Sequence, residues 1–178
     1  MGKVIAAVRT AEEFAAAAES EVGIIFQLAP NIETLKSQVE FAHGKGKKLF
    51  IHIDLAEGIG KDEYGIKFAG KLGVDGIIST RTGMIKLAKN AGLFTVQRFF
   101  IVDSHSVETT VESVKSSKAD MIEIMPGVVT KVISSVSSCS DVPVIAGGLI
   151  DDLSEIEIAL QNGASAVSLS NPDFWKKL

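Results

Sequence analysis

Residues 142–175 read VPVIAGGLIDDLSEIEIALQNGASAVSLSNPDFW, and this stretch decides the fold that we expect for the whole chain. Two short apolar runs, 142–146 and 166–169, are separated by the helix-like segment IEIALQNGA. Two parallel strands need a crossover connection, which is usually a helix. The stretch is therefore predicted to be one strand–helix–strand unit of a parallel sheet.

Six further apolar runs precede this unit, and each is followed by a segment with helical periodicity or helix-start and helix-stop signals. The predicted strands are 4–8, 22–26, 49–53, 76–78, 93–96 (extendable to 101) and 121–124. The predicted helices are 10–20, 31–44, 62–72, 82–91, 104–117 and 128–138. A last helix of about two turns is predicted over 171–178, because Asn and Pro at its start are helix-start signals.

Eight strands that alternate with helices predict a closed α/β barrel, the compact (β/α)8 TIM type, formed by residues 1–178 as a single domain. The strands are nearly continuous in apolar residues, as expected for strands that are covered on both faces. Such barrels usually have about 200 residues or more. The 178 residues of this chain therefore leave room for few insertions.

The composition is that of an ordinary globular protein, with 46% hydrophobic residues and a formal net charge of −4. A single cysteine cannot form an intramolecular disulfide, which favours a cytoplasmic location. No apolar run approaches the ~18 residues of a membrane span, so no membrane partner is expected. The three histidines are scattered and predict no metal site and no cofactor.

Small residues follow the last two predicted strands, where barrels of this type commonly bind phosphate. They are Gly147 and Gly148 after the seventh strand, and Ser168 and Ser170 in and after the eighth. Glycine lets backbone N–H groups approach an anion, and serine adds a hydroxyl donor. These four residues are predicted to bind phosphate. The alternative is a tight turn with ordinary loop serines.

Several polar side chains lie in or after other predicted strands and are candidates to bind the remainder of a ligand: Asp54, Glu57, Gln97 and Glu123. Glu123 is the strongest of them, because its strand, MIEIM, is apolar on both sides. A buried carboxylate is costly unless it is paired. We therefore expect Glu123 to face the barrel mouth, toward a ligand hydroxyl, a lysine or an arginine. A structural salt bridge is the alternative.

Positive charge is concentrated in residues 45–98, which contain ten Lys and Arg against five acidic residues. Lysines three or four residues apart share one face of a helix. The candidates for contact with a polyanion are Lys67, Lys71, Lys86 and Lys89 on two successive helices, and Arg81 and Arg98 after two successive strands. The alternative is a solvated basic surface.

Six blocks of the sequence, spread from residue 50 to residue 150, carry a resemblance to a known family. They are FIHIDLAEGIGK (50–61), DGIISTR (75–81), QRFF (97–100), DS (103–104), PG (126–127) and IAGGLI (145–150). The chain resembles the glycerol-3-phosphate-responsive antiterminators, the regulators of glycerol uptake operons in bacteria. The resemblance covers nearly the whole length, and DLxEGIG and QRFF are its most specific blocks.

The resemblance implies an RNA-binding regulator of transcription. Such a protein binds glycerol 3-phosphate as effector and then binds the leader mRNA of glycerol genes, which permits transcription through a terminator. Phe99 and Phe100 beside Arg98 could stack on bases, although a role in the core is the stronger interpretation. The oligomeric state is open.

An enzyme is the rival interpretation, because the fold alone also suits a small barrel that acts on a triose or sugar phosphate. Asp54 and Glu123 would then be its acid and base. No nucleophile–base spacing appears, and the lysines lie mostly on helices or loops rather than at strand ends. We therefore expect no catalytic residues and no enzymatic activity.

Overall fold

The computed structural model describes residues 3–175 and shows a closed barrel of eight strands. Every strand is parallel to both of its neighbours, and β8 pairs with β1 to close the barrel. The strands are β1 (Val4–Val8), β2 (Ile24–Gln27), β3 (Lys48–His52), β4 (Gly76–Ser79), β5 (Phe94–Phe100), β6 (Met121–Met125), β7 (Val144–Gly147) and β8 (Ala166–Leu169). The predicted (β/α)8 barrel is confirmed.

Among the described residues, seven α-helices connect successive strands. They are α1 (Ala11–Glu19), α2 (Leu35–Gly44), α3 (Glu63–Lys71), α4 (Thr82–Asn90), α5 (Ser104–Ser117), α6 (Thr130–Cys139) and α7 (Leu153–Gln161). Single 3-10 turns follow β3, at Ile53–Leu55, and β8, at Pro172–Phe174.

Two predicted helix bounds need correction. The last helix is a single 3-10 turn that ends before Trp175, and residues 176–178 lie outside the described part of the chain. Helix α2 begins at Leu35 rather than at Asn31. Asn31 forms a β-bridge with Glu57 and donates to its carboxylate at 3.0 Å. Residues 32–34 form a turn in which Asn31 Oδ1 accepts from the N–H of Glu33 at 2.9 Å, so the helix follows one turn later.

Local hydrogen bonds explain where several helices begin. Helix α1 starts in a capping box, in which Thr10 accepts from the N–H of Glu13 while the Glu13 carboxylate accepts from the N–H of Thr10. Asp152 and Glu155 form the same arrangement at α7. A cap of this kind stabilises a helix by about 1 kcal/mol. These four residues therefore fix how the chain turns from strand into helix.

The core has two layers. The inner layer fills the barrel with side chains such as Phe26, Phe50, Val96 and Ile145. The outer layer lies between the barrel and its helices and includes Ile51, Ile77, Ile122, Val144, Ile156 and Ala159. Full burial of one large apolar side chain contributes roughly 1.5–3 kcal/mol.

The barrel interior becomes polar toward the carboxyl ends of the strands. Side chains two residues apart on a strand share a face. His52, Arg98, Glu123 and Ser168 each come two residues after an inner-layer residue and are buried. This alternation places four polar groups inside the barrel, at the end where active and binding sites of this fold lie.

Candidate functional site

A buried ion pair forms the floor of the barrel mouth. Arg98 on β5 and Glu123 on β6 lie directly opposite each other in the register of the two strands. The Nε of Arg98 donates to Oε2 of Glu123 at 2.5 Å, and the two side chains are 4% and 0% exposed. A buried carboxylate requires such a partner. Glu123 therefore lies at the barrel mouth in a salt bridge with Arg98, an arrangement that fits both the predicted ligand contact and the structural alternative.

Ser168 on β8 satisfies the other oxygen of the same carboxylate. Its hydroxyl donates to Oε1 of Glu123 at 2.5 Å. Gly147 of β7 lies between the two strands, and a Cβ at this position would be 2.6 Å from both Glu123 Oε1 and Ser168 Oγ. The absence of a side chain at Gly147 is therefore what lets β6 and β8 interact across β7.

A cavity of about 240 Å³ opens above this floor. Its apolar wall is formed by Ala7, Leu28, Met125 and Leu169. Its polar wall is formed by Arg9, Glu13, Arg98, Glu123, Ser168 and Ser170, together with the backbone of Gly148. An apolar cavity with a few convergent polar groups is typical of a small-molecule site.

The loop after β7 contributes an unusual backbone to this cavity. Gly148 and Leu149 both have positive φ angles, +75° and +58°. The carbonyl groups of Gly147 and Gly148 accept from the N–H of Gly127 at 2.6 and 3.0 Å, which ties the loop to the end of β6. A Cβ at Gly148 would also lie 2.6 Å from Met125 Cε. Glycine is therefore required at 148 by both conformation and space.

His52 on β3 is also inside the barrel and is 3% exposed. Burial, and after it the charge of the nearby Arg98, lowers its pKa from 6.5 to about 4, against the opposing effect of Asp54. Its Nδ1 has no hydrogen-bond partner among the described residues. The imidazole is therefore neutral near pH 7.

Asp54 does not line the cavity, because groups at the end of β4 hold it. Its carboxylate accepts from Ser79 Oγ at 2.8 Å, from the N–H and hydroxyl of Thr80 at 2.8 and 3.0 Å, and from Arg81 Nε at 2.9 Å. Burial acts to raise the pKa of Asp54, but these hydrogen bonds outweigh it and hold the pKa below its usual value. Asp54 ties β3 to the loop after β4.

Glu57 and Gln97 also lie outside the cavity. Glu57 is exposed and accepts from the Asn31 amide. Gln97 is 1% exposed and points toward α4, where its Nε2 donates to Thr82 Oγ1 at 3.0 Å. Of the four residues predicted to hold the non-phosphate part of a ligand, the structure brings only Glu123 together with Gly147, Gly148, Ser168 and Ser170.

The predicted polyanion-binding residues divide into two groups. Lys67 and Lys71 on α3 and Lys86 and Lys89 on the neighbouring α4 are all exposed. Lys67 pairs with Glu63, Lys89 with Asp120 at 2.5 Å, and Lys86 donates to Ser116 at 3.2 Å. Both arginines of the other group are paired with carboxylates: Arg98 is buried against Glu123, whereas Arg81 is exposed and bound to Asp54.

Three further residues lie where a ligand or RNA could contact them and were not predicted from the sequence. Arg9 lines the cavity, and its place directly after β1 was the available signal, since strand ends supply the sites of this fold. Tyr64 and Phe68 are 79% and 36% exposed on α3, where they line a groove with Ile32 and Gly58. Their four-residue spacing was visible, but an exposed aromatic pair and a core-facing one look alike in sequence.

The structure and the comparisons with known proteins define the class of this protein. It is a TIM-type barrel whose polar interior lies at the carboxyl ends of its strands. Solved aldolases share the fold, among them QR15 with a TM-score of 0.77 over 96% of this chain and 90% of that one, at 15% identity. Identity at this level shows the fold alone.

The family follows from closer matches. Residues 4–175 match the family described as glycerol-3-phosphate responsive antiterminator, and the chain belongs to this family. It is similar to the glycerol uptake operon antiterminator regulatory protein of Listeria monocytogenes, at 32% identity and a TM-score of 0.91 over 97% of this chain and 94% of that one. It is also similar to a glycerol uptake operon antiterminator-related protein of Thermotoga maritima, at 32% identity and a TM-score of 0.87 over 98% of this chain and 99% of that one.

A relative in Escherichia coli (strain K12), the uncharacterized protein YgcP, is 39% identical over 97% of this chain and 91% of its own length. In the described residues, no helix is both long and apolar enough to cross a membrane. Residues 3–175 also contain no group of three or more His, Cys, Asp or Glu side chains placed to hold a metal ion.

Proposed function

We propose that this protein is a cytoplasmic, RNA-binding transcription antiterminator that responds to glycerol 3-phosphate. The observation that carries the proposal is the family match over residues 4–175. The likeness to the Listeria glycerol uptake operon antiterminator regulatory protein, over nearly the full length of both chains, supports it.

The mouth cavity is the proposed effector site. The phosphate would lie against the backbone of Gly148 and the hydroxyl of Ser170, next to the floor formed by Gly147 and Ser168. Glycine at 148 permits the positive φ of this turn, and a backbone without a Cβ suits close approach of an anion. The hydroxyls of glycerol would donate to remaining lone pairs of Glu123, since a carboxylate can accept about four hydrogen bonds. Asp54, Glu57 and Gln97 are not part of this site, because other groups engage them or they lie outside it.

The exposed face of α3 and α4 is the proposed RNA surface. Ile66, Ala69, Ile85 and Ala88 of these helices are buried against the barrel, so the lysines point outward. RNA affinity depends strongly on neutralisation of phosphates by lysine and arginine. Tyr64 and Phe68 are exposed on α3, the helix that also carries Lys67 and Lys71. Exposed aromatic rings are platforms on which single-stranded bases stack.

The same geometry argues against an enzyme. A carboxylate that already accepts hydrogen bonds in its charged form takes up a proton from substrate less readily. One oxygen of Glu123 is bound to Arg98 and the other to Ser168, and both oxygens of Asp54 are bound to residues after β4. The two carboxylates that could have been acid and base are thus structural members of hydrogen-bonded networks.

The decisive experiment measures retention of a glycerol-gene leader RNA by the purified protein, with and without glycerol 3-phosphate. We expect retention that increases with the effector, and no such increase with glycerol or with a scrambled RNA of equal length. Equal retention of both RNAs with and without effector would contradict the proposal. Products are followed by NMR in parallel, where turnover of glycerol 3-phosphate or triose phosphates in molar excess would favour the enzyme.

A further inference from the structure

Arg9 is the one guanidinium of the mouth cavity that no described carboxylate neutralises. Among residues 3–175, Arg98 is paired with Glu123 and Arg81 with Asp54, whereas no ion pair within 4.0 Å includes Arg9. Arg9 lines the cavity together with Gly148 and Ser170. Its positive charge is therefore available to a ligand in this cavity.

The other charged side chains of the cavity, and the hydroxyl of Ser168, are already committed. The hydroxyl of Ser168 donates its proton to Glu123, so it has none left to give to an anion. Glu13 accepts from the backbone N–H groups of Arg9 and Thr10 at 2.6 and 3.1 Å. The formal charges of Glu13, Arg98 and Glu123 sum to −1, which disfavours a phosphate unless a further cation offsets them.

The backbone of Arg9 is fixed, which gives its side chain a defined origin at the rim. Its N–H is held by Glu13, and the preceding strand residue Val8 is 0% exposed within the core. The hydrogen bond uses the main chain only. Any substitution at position 9 other than proline therefore retains the cap of α1, and a change in ligand binding can be separated from a change in folding.

We propose that Arg9 selects phosphorylated ligands for the mouth cavity, by donating charge-assisted hydrogen bonds to the phosphate oxygens of the effector. This inference rests on the proposed function. A planar guanidinium presents paired donors that match the spacing of phosphate oxygens. Gly148 and Ser170 then orient the phosphate, while Arg9 supplies the charge that separates glycerol 3-phosphate from glycerol.

Calorimetry with glycerol 3-phosphate on three variants tests the assignment. Arg9→Gln is expected to weaken affinity roughly ten- to hundred-fold, the usual effect of losing a hydrogen bond to a charged group. Arg9→Lys, which keeps the charge but loses the paired donors, is expected to fall between Gln and the wild type. Lys131→Gln is the matched control, since it removes an exposed positive charge at the start of α6 and lies outside this cavity.

Other results would overturn the assignment. Wild-type affinity in Arg9→Gln, or an equal loss in Lys131→Gln, would remove Arg9 as the selecting residue and leave the proposed function intact. Undetectable glycerol 3-phosphate binding by the wild type would overturn the proposed function, and the role of Arg9 with it. In NMR titrations with glycerol, the chemical-shift changes of Arg9→Gln should equal those of the wild type. A selective loss of glycerol binding would also count against a role in phosphate selection.

Discussion

Glu123 on β6 and Ser168 on β8 are hydrogen-bonded at 2.5 Å across the intervening strand β7, directly over Gly147. The same carboxylate reaches β5 through Arg98. One buried carboxylate on β6 is thus hydrogen-bonded to β5 on one side and, across β7, to β8 on the other, at the floor of the mouth. Stability and ligand binding are expected to depend on it together.

Gly147→Ala tests this connection. The new methyl group would lie 2.6 Å from both Glu123 Oε1 and Ser168 Oγ, so one of them must move. Overpacking of this kind costs about 1–3 kcal/mol, and we expect weaker glycerol 3-phosphate binding as well. Urea denaturation and calorimetry measure the two effects. Gly83→Ala on α4 is the control, because a Cβ there meets nothing within 4 Å; wild-type stability in Gly147→Ala would contradict the packing argument.

Removing one charge of the buried Arg98–Glu123 pair should lower the free energy of unfolding more than removing both charges. Glu123→Gln leaves the Arg98 guanidinium, 4% exposed, without a counter-charge. Breaking a buried pair in this way costs roughly 3–5 kcal/mol. Arg98→Met added to Glu123→Gln should restore part of that stability. A double-mutant cycle by chemical denaturation measures the coupling, and purely additive effects would show that the two side chains act independently.

The sequence was sufficient to predict the barrel, but it did not show which residues of each strand point into the barrel and which point toward the helices. Eight apolar runs with helix signals between them identify the fold, since only a few architectures bury such strands on both faces. The same property hides which residues face inward. Gln97 and Arg98 are neighbours on β5, and no polar alternation shows that Arg98 points into the barrel while Gln97 points toward α4.

The sequence also did not show which side chains pair across neighbouring strands. Glu123 was recognisable as a carboxylate in need of a partner, but the partner depends on the register that places Arg98 opposite it. Asp54 looked equally available, yet it is occupied by Ser79, Thr80 and Arg81 from the next unit. Such contacts join residues about 25 positions apart, where local patterns in the sequence carry no information.

His52 should make the protein less stable below neutral pH. Its folded pKa, lowered to about 4 by burial and then by Arg98, lies below the ordinary value of 6.5. Between these values the unfolded chain binds a proton that the folded chain does not. The free energy of unfolding therefore falls as the pH drops from 6.5 toward 4, by on the order of 3 kcal/mol in total.

Denaturation of the wild type and of His52→Asn at pH 7 and pH 4.5 checks this dependence. Asparagine does not titrate, so the variant should lose less stability between the two pH values. All other groups are common to both proteins, so their effects cancel in the difference. An identical pH dependence in the two proteins would mean that His52 is not the responsible group.

Asp54→Asn should lower stability without lowering effector affinity. The carboxylate accepts from Ser79, Thr80 and Arg81, and the amide would present two donors to groups that are themselves donors. Loss of hydrogen bonds to a charged group costs about 1.5–3 kcal/mol. Asp54 lies outside the mouth cavity, so calorimetry should give wild-type affinity for glycerol 3-phosphate. A large loss of affinity in a folded Asp54→Asn protein would instead place Asp54 in the effector site.

Replacing Lys67, Lys71, Lys86 and Lys89 together by glutamine should weaken leader RNA binding strongly. All four are exposed on α3 and α4 and lie apart from the mouth cavity, so binding of glycerol 3-phosphate should not change. Each phosphate contact that is lost should flatten the dependence of log affinity on log salt by about one unit. The ion pair of Lys67 is exposed and that of Lys89 is half-exposed, so the loss of each should cost about 1 kcal/mol or less.

The control variant carries the same change of charge on other helices. Four exposed lysines are replaced by glutamine: Lys36 on α2, Lys115 on α5, Lys118 directly after α5, and Lys131 on α6. Electrophoretic mobility shifts at several salt concentrations compare the two variants with the wild type. If RNA docks on α3 and α4, only the first variant loses affinity and salt slope, and Tyr64→Ala with Phe68→Ala weakens binding without changing the slope. An equal loss in both variants would reduce the interaction to overall charge, and wild-type behaviour of the first would move the RNA surface away from these helices.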